Sequence, residues 1–201
     1  MSFRYGYLEM KAKVPFQKGV WPAFWMITSP ELNQSKYSGE IDIFEVYGSS
    51  DTLVPALHRW YREKGAAVSK DCKPDDSNED FKVSFTFDDA VNPNEYHLYA
   101  LEWTPEYLNY YVDGELYATM DISEDNDYCT HNGAHDDNME CFRQYYNICL
   151  STDIFTDNHA GWAPDQLASR LPDFAQNGVD YKIDYIRLYQ NEDAGEDFVL
   201  Y

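Results

Sequence analysis

Basic residues are scarce in this chain: 15 Lys and Arg stand against 36 Asp and Glu, a formal net charge of −21. A phosphate backbone or an anionic membrane surface needs cationic side chains to neutralise it, so nucleic-acid and membrane-surface partners are not expected. The same imbalance disfavours a heavily sulfated or uronic-acid polymer and suits a neutral one. Long apolar runs are also lacking; none approaches the roughly 20 residues that cross a bilayer, so no membrane insertion is expected. No leader peptide is visible, since Met1-Ser2-Phe3-Arg4 runs straight into a strand pattern. A mature or trimmed chain would read the same way. Cysteine is limited to Cys72, Cys129, Cys141 and Cys149, with no C-x-x-C pair, which argues against a zinc site. Cys129 and Cys141 flank a polar loop and can be bridged in an exported protein, Cys149 reads as a buried thiol in an apolar strand, and four reduced thiols remain an alternative.

Aromatics, by contrast, are plentiful: 17% of the chain, with 18 Tyr and 5 Trp. That richness suits stacking on sugars, and sheets favour aromatics in any case. Leu8, Met10, Ala12 and Val14 alternate with Glu9, Lys11 and Lys13, the period of a half-buried strand. Residues 20–27 are apolar on both faces, with Trp21, Ala23 and Trp25 on one and Phe24 and Met26 on the other. Further strand patterns cover 53–61, 81–87, 96–103, 107–112, 116–120, 144–151 and 181–189, and Asp113-Gly114 signals a tight hairpin. Residues 63–80 and 121–141 read as polar loops, and a short helical turn is expected near 166–170. About ten short strands with almost no helical periodicity predict an all-β antiparallel sandwich. One domain is expected over residues 1–190, followed by a loosely held acidic tail, 191–201.

Residues 39–48, Gly-Glu-Ile-Asp-Ile-Phe-Glu-Val-Tyr-Gly, are the most informative stretch. On a strand Glu40 and Asp42 share a face, but strict alternation would turn Glu45 to the buried side with the isoleucines. One extra residue, a β-bulge near Ile43-Phe44, returns Glu45 to its fellow acids and leaves Ile41, Phe44 and Val46 as backing. Three like charges on one face repel each other and raise at least one pKa. Folding gains nothing from that arrangement. A glycosidase does: one carboxylate attacks the anomeric carbon, a second protonates the leaving oxygen and then activates water, and the middle acid helps separate their protonation states. A solvated edge strand with chance acids is the plain alternative.

The surrounding residues narrow the choice. Residues 3–14, the Gly19-Val-Trp-Pro-Ala-Phe-Trp run, Glu40-Ile-Asp-Ile-Phe-Glu, Leu101-Glu-Trp-Thr-Pro, Tyr110-Tyr-Val-Asp-Gly and Asp184-Tyr-Ile-Arg-Leu-Tyr-Gln together resemble glycoside hydrolase family 16, in the family's order. The resemblance implies a concanavalin-like jelly roll with a cleft across its concave sheet, and retaining cleavage of internal β-1,3 or β-1,4 links in glucans or galactans. It implies Glu40 as nucleophile, Asp42 as its partner and Glu45 as general acid/base, with no cofactor required. The six-residue acidic motif looks like the laminarinase, agarase and carrageenase branches, and residues 20–25 tilt the reading to a laminarin-type β-1,3-glucan. The stretch Asn147-Ile-Cys-Leu-Ser-Thr-Asp-Ile-Phe differs from the Asn-Leu-Ala-Val-Gly-Gly-Asn-Trp run of laminarinase-like chains, which implies a different cleft floor. The resemblance also implies strands ahead of Phe3, so either this chain is shortened at its N-terminus or the sandwich is trimmed, leaving an exposed edge strand.

Trp21 and Trp25, as flat rings on one face, and Asn147, as a hydrogen-bonding amide, are candidate substrate contacts, and the resemblance adds His58 and Trp103; each is weighed against a structural role. Asp184 falls where the family holds a structural Ca²⁺, although one carboxylate supplies little of the six to eight oxygens that ion takes. His131, His135, Asp136 and Asp137 read as a solvated loop before a metal site. The expected partner is a polysaccharide, the expected state a monomer, and the expected location the cell exterior or surface. A lectin-like module with the same sandwich, a transglycosylase and a degenerate enzyme are the competing readings.

Overall fold

The computed structural model describes residues 1–17, 19–35, 37–48, 51–63, 66–71, 84–124, 139–154 and 178–200. Thirteen strands occur among them: β1 Ser2–Arg4, β2 Gly6–Lys13, β3 Val20–Thr28, β4 Ser38–Glu45, β5 Thr52–Glu63, β6 Ala66–Asp71, β7 Phe85–Thr86, β8 Tyr96–Trp103, β9 Tyr107–Val112, β10 Glu115–Asp121, β11 Tyr146–Ile154, β12 Lys182–Tyr189 and β13 Asp197–Val199. The larger sheet runs β13-β1-β11-β3-β4-β5-β6, with β7 also on β5, and the smaller runs β10-β9-β8-β2-β12. Every pairing is antiparallel. No helix among the described residues is long and apolar enough to cross a membrane.

The alternating apolar residues of β2 fill the space between the sheets: Leu8, Met10 and Ala12 are buried with Phe24 and Met26 of β3 and Ile41 and Phe44 of β4. The Phe44 ring lies 4.7 Å from that of Tyr99 on β8, an aromatic contact across the sandwich. Residues 3–14 read as one strand, yet they form two, in different sheets. Tyr5 at φ 64 and Gly6 at φ 127 make the break. A Cβ at Gly6 would stand 2.7 Å from the Tyr189 carbonyl, so only glycine fits.

The Asp113-Gly114 hairpin forms as expected, both residues at positive φ between β9 and β10. Two expectations fail. Residues 63–80 do not form one loop: Ala66–Asp71 pairs with β5 from Glu63↔Ala66 to His58↔Asp71. Backbone pairing holds this strand, so its side chains need not carry an alternating apolar signal. The acidic tail is not loose, for Asp197–Val199 pairs with β1 and Tyr145 donates a hydrogen bond to Asp197. Three residues are too few to show a period. The helical turn expected near 166–170 and the loop histidines lie outside the described residues.

Candidate active site

Strand β4 crosses the middle of the larger sheet between β3 and β5. Its register against β5 slips between Asp42 and Glu45, and against β3 between Asp42 and Phe44, so Ile43 is the extra residue of a bulge. Glu40, Asp42 and Glu45 therefore share one face, while Ile41, Phe44 and Val46 are buried in the core. The strand's approach to the site is tight. A Cβ on Gly39 would lie 1.9 Å from the Tyr146 hydroxyl, which itself donates to the Cys141 carbonyl at 2.8 Å.

Directly paired residues of an antiparallel sheet point to the same side, which assembles the rest of the face. Trp25 pairs with Asp42 and with Cys149, Ile27 with Glu40 and with Asn147, Ala23 with Glu45 and with Ser151. From β5, His58 pairs with Glu40 and Trp60 with Ser38. The floor expected to differ around residues 147–155 thus presents Asn147, Cys149 and Ser151. Cys149 is half-buried on this face, not enclosed in the core as its apolar strand suggested; burial, with the nearby Glu40 charge, pushes its thiol above its usual pKa.

Each acid has its own partners. Glu40 Oε2 accepts the indole N–H of Trp60 at 2.9 Å. Asp42 is 2% exposed, and its Oδ2 lies 3.1 Å from His58 Nε2. Glu45 is 6% exposed; Oε1 accepts from Trp21 Nε1 at 2.9 Å and Oε2 from the Tyr47 hydroxyl. Burial first, then the neighbouring Asp42 charge, raise Glu45 from 4.5 to about 7, against smaller lowering by Tyr47, His58 and Trp21. A carboxyl that titrates near neutrality can give up a proton in one step and take one back in the next.

Trp21 and Trp25 are half-buried on this face; Trp25 Nε1 donates to Ser151 Oγ at 3.2 Å, and the Trp21 ring packs on Tyr47. His58 also lies here, its ring 6.2 Å from that of Trp60. Asn147 shares the face, but its Oδ1 already accepts from Ser2 Oγ at 2.6 Å. Trp103 is not a substrate contact. It is 1% exposed, packs edge-on against Phe3, Tyr5 and Tyr146, and donates to the Phe142 carbonyl at 3.1 Å, leaving no surface for a sugar. Trp60, Tyr47 and Ser151 went unselected in the sequence. Trp60 and Tyr47 carried a signal nonetheless: Trp60 stands two residues from His58 on the same strand face, and Tyr47 two residues beyond Glu45.

Asp184 does not fit the calcium role. It is exposed on β12 and its carboxylate binds Lys11 Nζ at 3.3 Å, so a cation would have to displace an ammonium with one ligand in hand. The one potential metal-ligand group among the described residues is Glu40, Asp42 and His58, whose ligand atoms lie within 4.8 Å of one another. Two of these are the acids a glycosidase would use, and a cation there would occupy them. Cys141 is buried; Cys129, its suggested partner, lies outside the described residues.

A family model described as Glycosyl hydrolases family 16 matches residues 1–133. Among curated relatives, "Beta-glucanase" of Rhodothermus marinus is 29% identical over 126 residues, covering 58% of this chain and 37% of that protein. "Beta-1,3-glucan-binding protein" of Penaeus monodon is 29% identical over 179 residues, covering 84% of this chain and 47% of its own length. The chain spans less than half the length of the curated relatives it matches. The catalytic domain of an endo-1,3-beta-glucanase (laminarinase) from Thermotoga petrophila RKU-1 superposes with a TM-score of 0.62 at 23% identity, covering 96% of this chain and 66% of that one. It shares the sandwich.

Proposed function

Because the chain belongs to glycosyl hydrolases family 16, we propose that it is an endo-acting, retaining β-glycanase that hydrolyses internal β-1,3 or mixed β-1,3-1,4 links of a neutral glucan of the laminarin type. The observation that carries this reading is the bulged strand, which presents a buried carboxyl raised to about 7, Glu45, on one face with Glu40 and Asp42.

In the first half-reaction Glu40 attacks the anomeric carbon while Glu45 passes its proton to the departing glycosidic oxygen. In the second, Glu45 takes a proton from water, whose oxygen bonds to the anomeric carbon as the ester to Glu40 breaks. The Asp42 charge beside Glu45 favours its protonated form in the resting protein, and His58 acts against it. Trp25 and Trp21 offer ring faces to sugars, and Trp60 holds the nucleophile. The protein needs no cofactor, works as a monomer and acts at the cell exterior or surface, where such polymers lie.

The test is reducing-end release from laminarin, mixed-linkage glucan, agarose, porphyran and carrageenan, with Glu40→Gln as the blank. Release from a glucan that the variant abolishes is expected; release confined to a galactan would replace the substrate. The similarity to a glucan-binding protein favours a second reading, a non-catalytic glycan-binding module. Retention of a polymer on an affinity gel with no release from any of them would favour that module.

A further inference from the structure

We propose that Tyr47 is a positioning residue for the acid/base: its hydroxyl donates to the Glu45 carboxylate and accepts from the Glu45 acid, so that one partner follows the proton through both half-reactions. This rests on the role given to Glu45 above.

The two oxygens of Glu45 are held differently. Oε1 takes the indole N–H of Trp21 at 2.9 Å, a group that can only donate. When the carboxyl is protonated, Oε1 therefore serves best as the carbonyl oxygen and Oε2 carries the proton. Oε2 faces the Tyr47 hydroxyl. A hydroxyl has one donor hydrogen and two acceptor lone pairs, and rotating its O–H bond exchanges the roles without moving a heavy atom. Glu45 can then load and lose its proton without being left unpaired in a site where it is almost wholly enclosed.

The backbone fixes the hydroxyl where this requires. Tyr47 lies just past the end of β4, and its hydroxyl reaches back to Glu45. Val46 N–H donates to the Pro22 carbonyl at 3.1 Å, and Gly48 N–H returns to the Val46 carbonyl at 3.0 Å, a three-residue turn centred on Tyr47. Gly48 adopts φ 63 there. The Tyr47 ring also packs on the Trp21 indole at 5.2 Å, so the two donors to Glu45 brace each other. Without substrate the Oε2 proton points to Tyr47; a bound glycosidic oxygen would compete for it, and once it is transferred the tyrosine turns to donate to the new carboxylate.

The experiment is a carboxyl ¹³C NMR titration of Glu45, assigned by its loss in Glu45→Gln, in wild type and Tyr47→Phe. Phenylalanine keeps the ring against Trp21 and removes only the hydroxyl. Tyr47→Phe takes a partner from both forms, but the bond to the charged form is the stronger, so the Glu45 midpoint should move up by about one pH unit, and the alkaline limb of kcat/KM with it. An unchanged midpoint would overturn the proposal, because a packing role predicts none. Should Tyr47→Phe not fold, the Tyr47 Cζ resonance of the wild type serves: it should shift with the Glu45 midpoint and lie flat in Glu45→Gln. A Tyr47 signal indifferent to Glu45 would overturn it equally. Neither titration depends on turnover, so a wild type inert on every polymer would sink the glycanase reading and leave this result to be judged separately.

Discussion

The indole of Trp60 donates to Glu40 Oε2 at 2.9 Å, so the proposed nucleophile is held by a side chain from the neighbouring strand. The bond engages one oxygen of the carboxylate and orients the group.

Trp60→Phe keeps a ring in the cleft and removes that donor. Hydrogen bonds to charged groups contribute about 1.5–3 kcal/mol, so kcat/KM should fall about tenfold to a hundredfold. Steady-state kinetics on the active polymer checks this, with circular dichroism confirming the fold. An unchanged rate would remove Trp60 from the site.

Glu45→Gln should slow both half-reactions. On an aryl glycoside with a good leaving group, added azide should restore turnover and give the β-glycosyl azide, which NMR of the product identifies. Azide acting on Glu40→Gln should give the α-anomer instead. The two products tell the acid/base from the nucleophile.

Glu45 also makes stability depend on pH. Its folded pKa, about 7, lies above the 4.5 of an unperturbed glutamate. The folded state therefore binds the proton more tightly, its contribution is complete below about pH 4.5, and it is lost as pH rises through 7. Glu45→Gln, uncharged throughout, should gain on the wild type by up to about 3 kcal/mol between pH 4.5 and 8. Urea unfolding of both proteins at the two pH values measures the difference; a gap that does not widen would show that Glu45 is not raised.

Gly39→Ala should destabilise the protein by about 2 kcal/mol or more and lower activity with it. The added methyl would meet the Tyr146 hydroxyl at 1.9 Å and the Cys141 carbonyl at 2.9 Å, one residue ahead of Glu40. Trp103→Phe makes the contrasting case. It forfeits the bond to Phe142 and should cost about 2 kcal/mol in unfolding while leaving KM alone. Calorimetry and kinetics on the two variants separate the effects.

Much of the sandwich was legible because its inner strands alternate: Leu8 to Val14 and Tyr96 to Trp103 carry a period that burial on one face imposes. The bulge was legible for an electrostatic reason, since without it Glu45 would be driven into the core beside Ile41 and Ile43. β6 and β13 left no such mark, one being held by backbone pairing and the other only three residues long. Trp103 misled because a tryptophan that seals a core and one that receives a sugar look alike in a sequence; only its position between Phe3 and Tyr146 decides. Tyr47 and Trp60 reach the acids through hydrogen bonds, and no periodicity announces a hydrogen bond.

All three acids ride on one strand, whereas the side chains around them come from β3, β5 and β11. On the proposed mechanism the means of breaking a bond is written in six consecutive residues, and the choice of which bond to break is spread over distant parts of the chain. Changes at Trp25, Ser151 or Trp60 could redirect the protein towards another glycan without rewriting the motif. Seen this way, β4 is a fixed blade, and the neighbouring strands are the interchangeable jaws that decide what is brought to it.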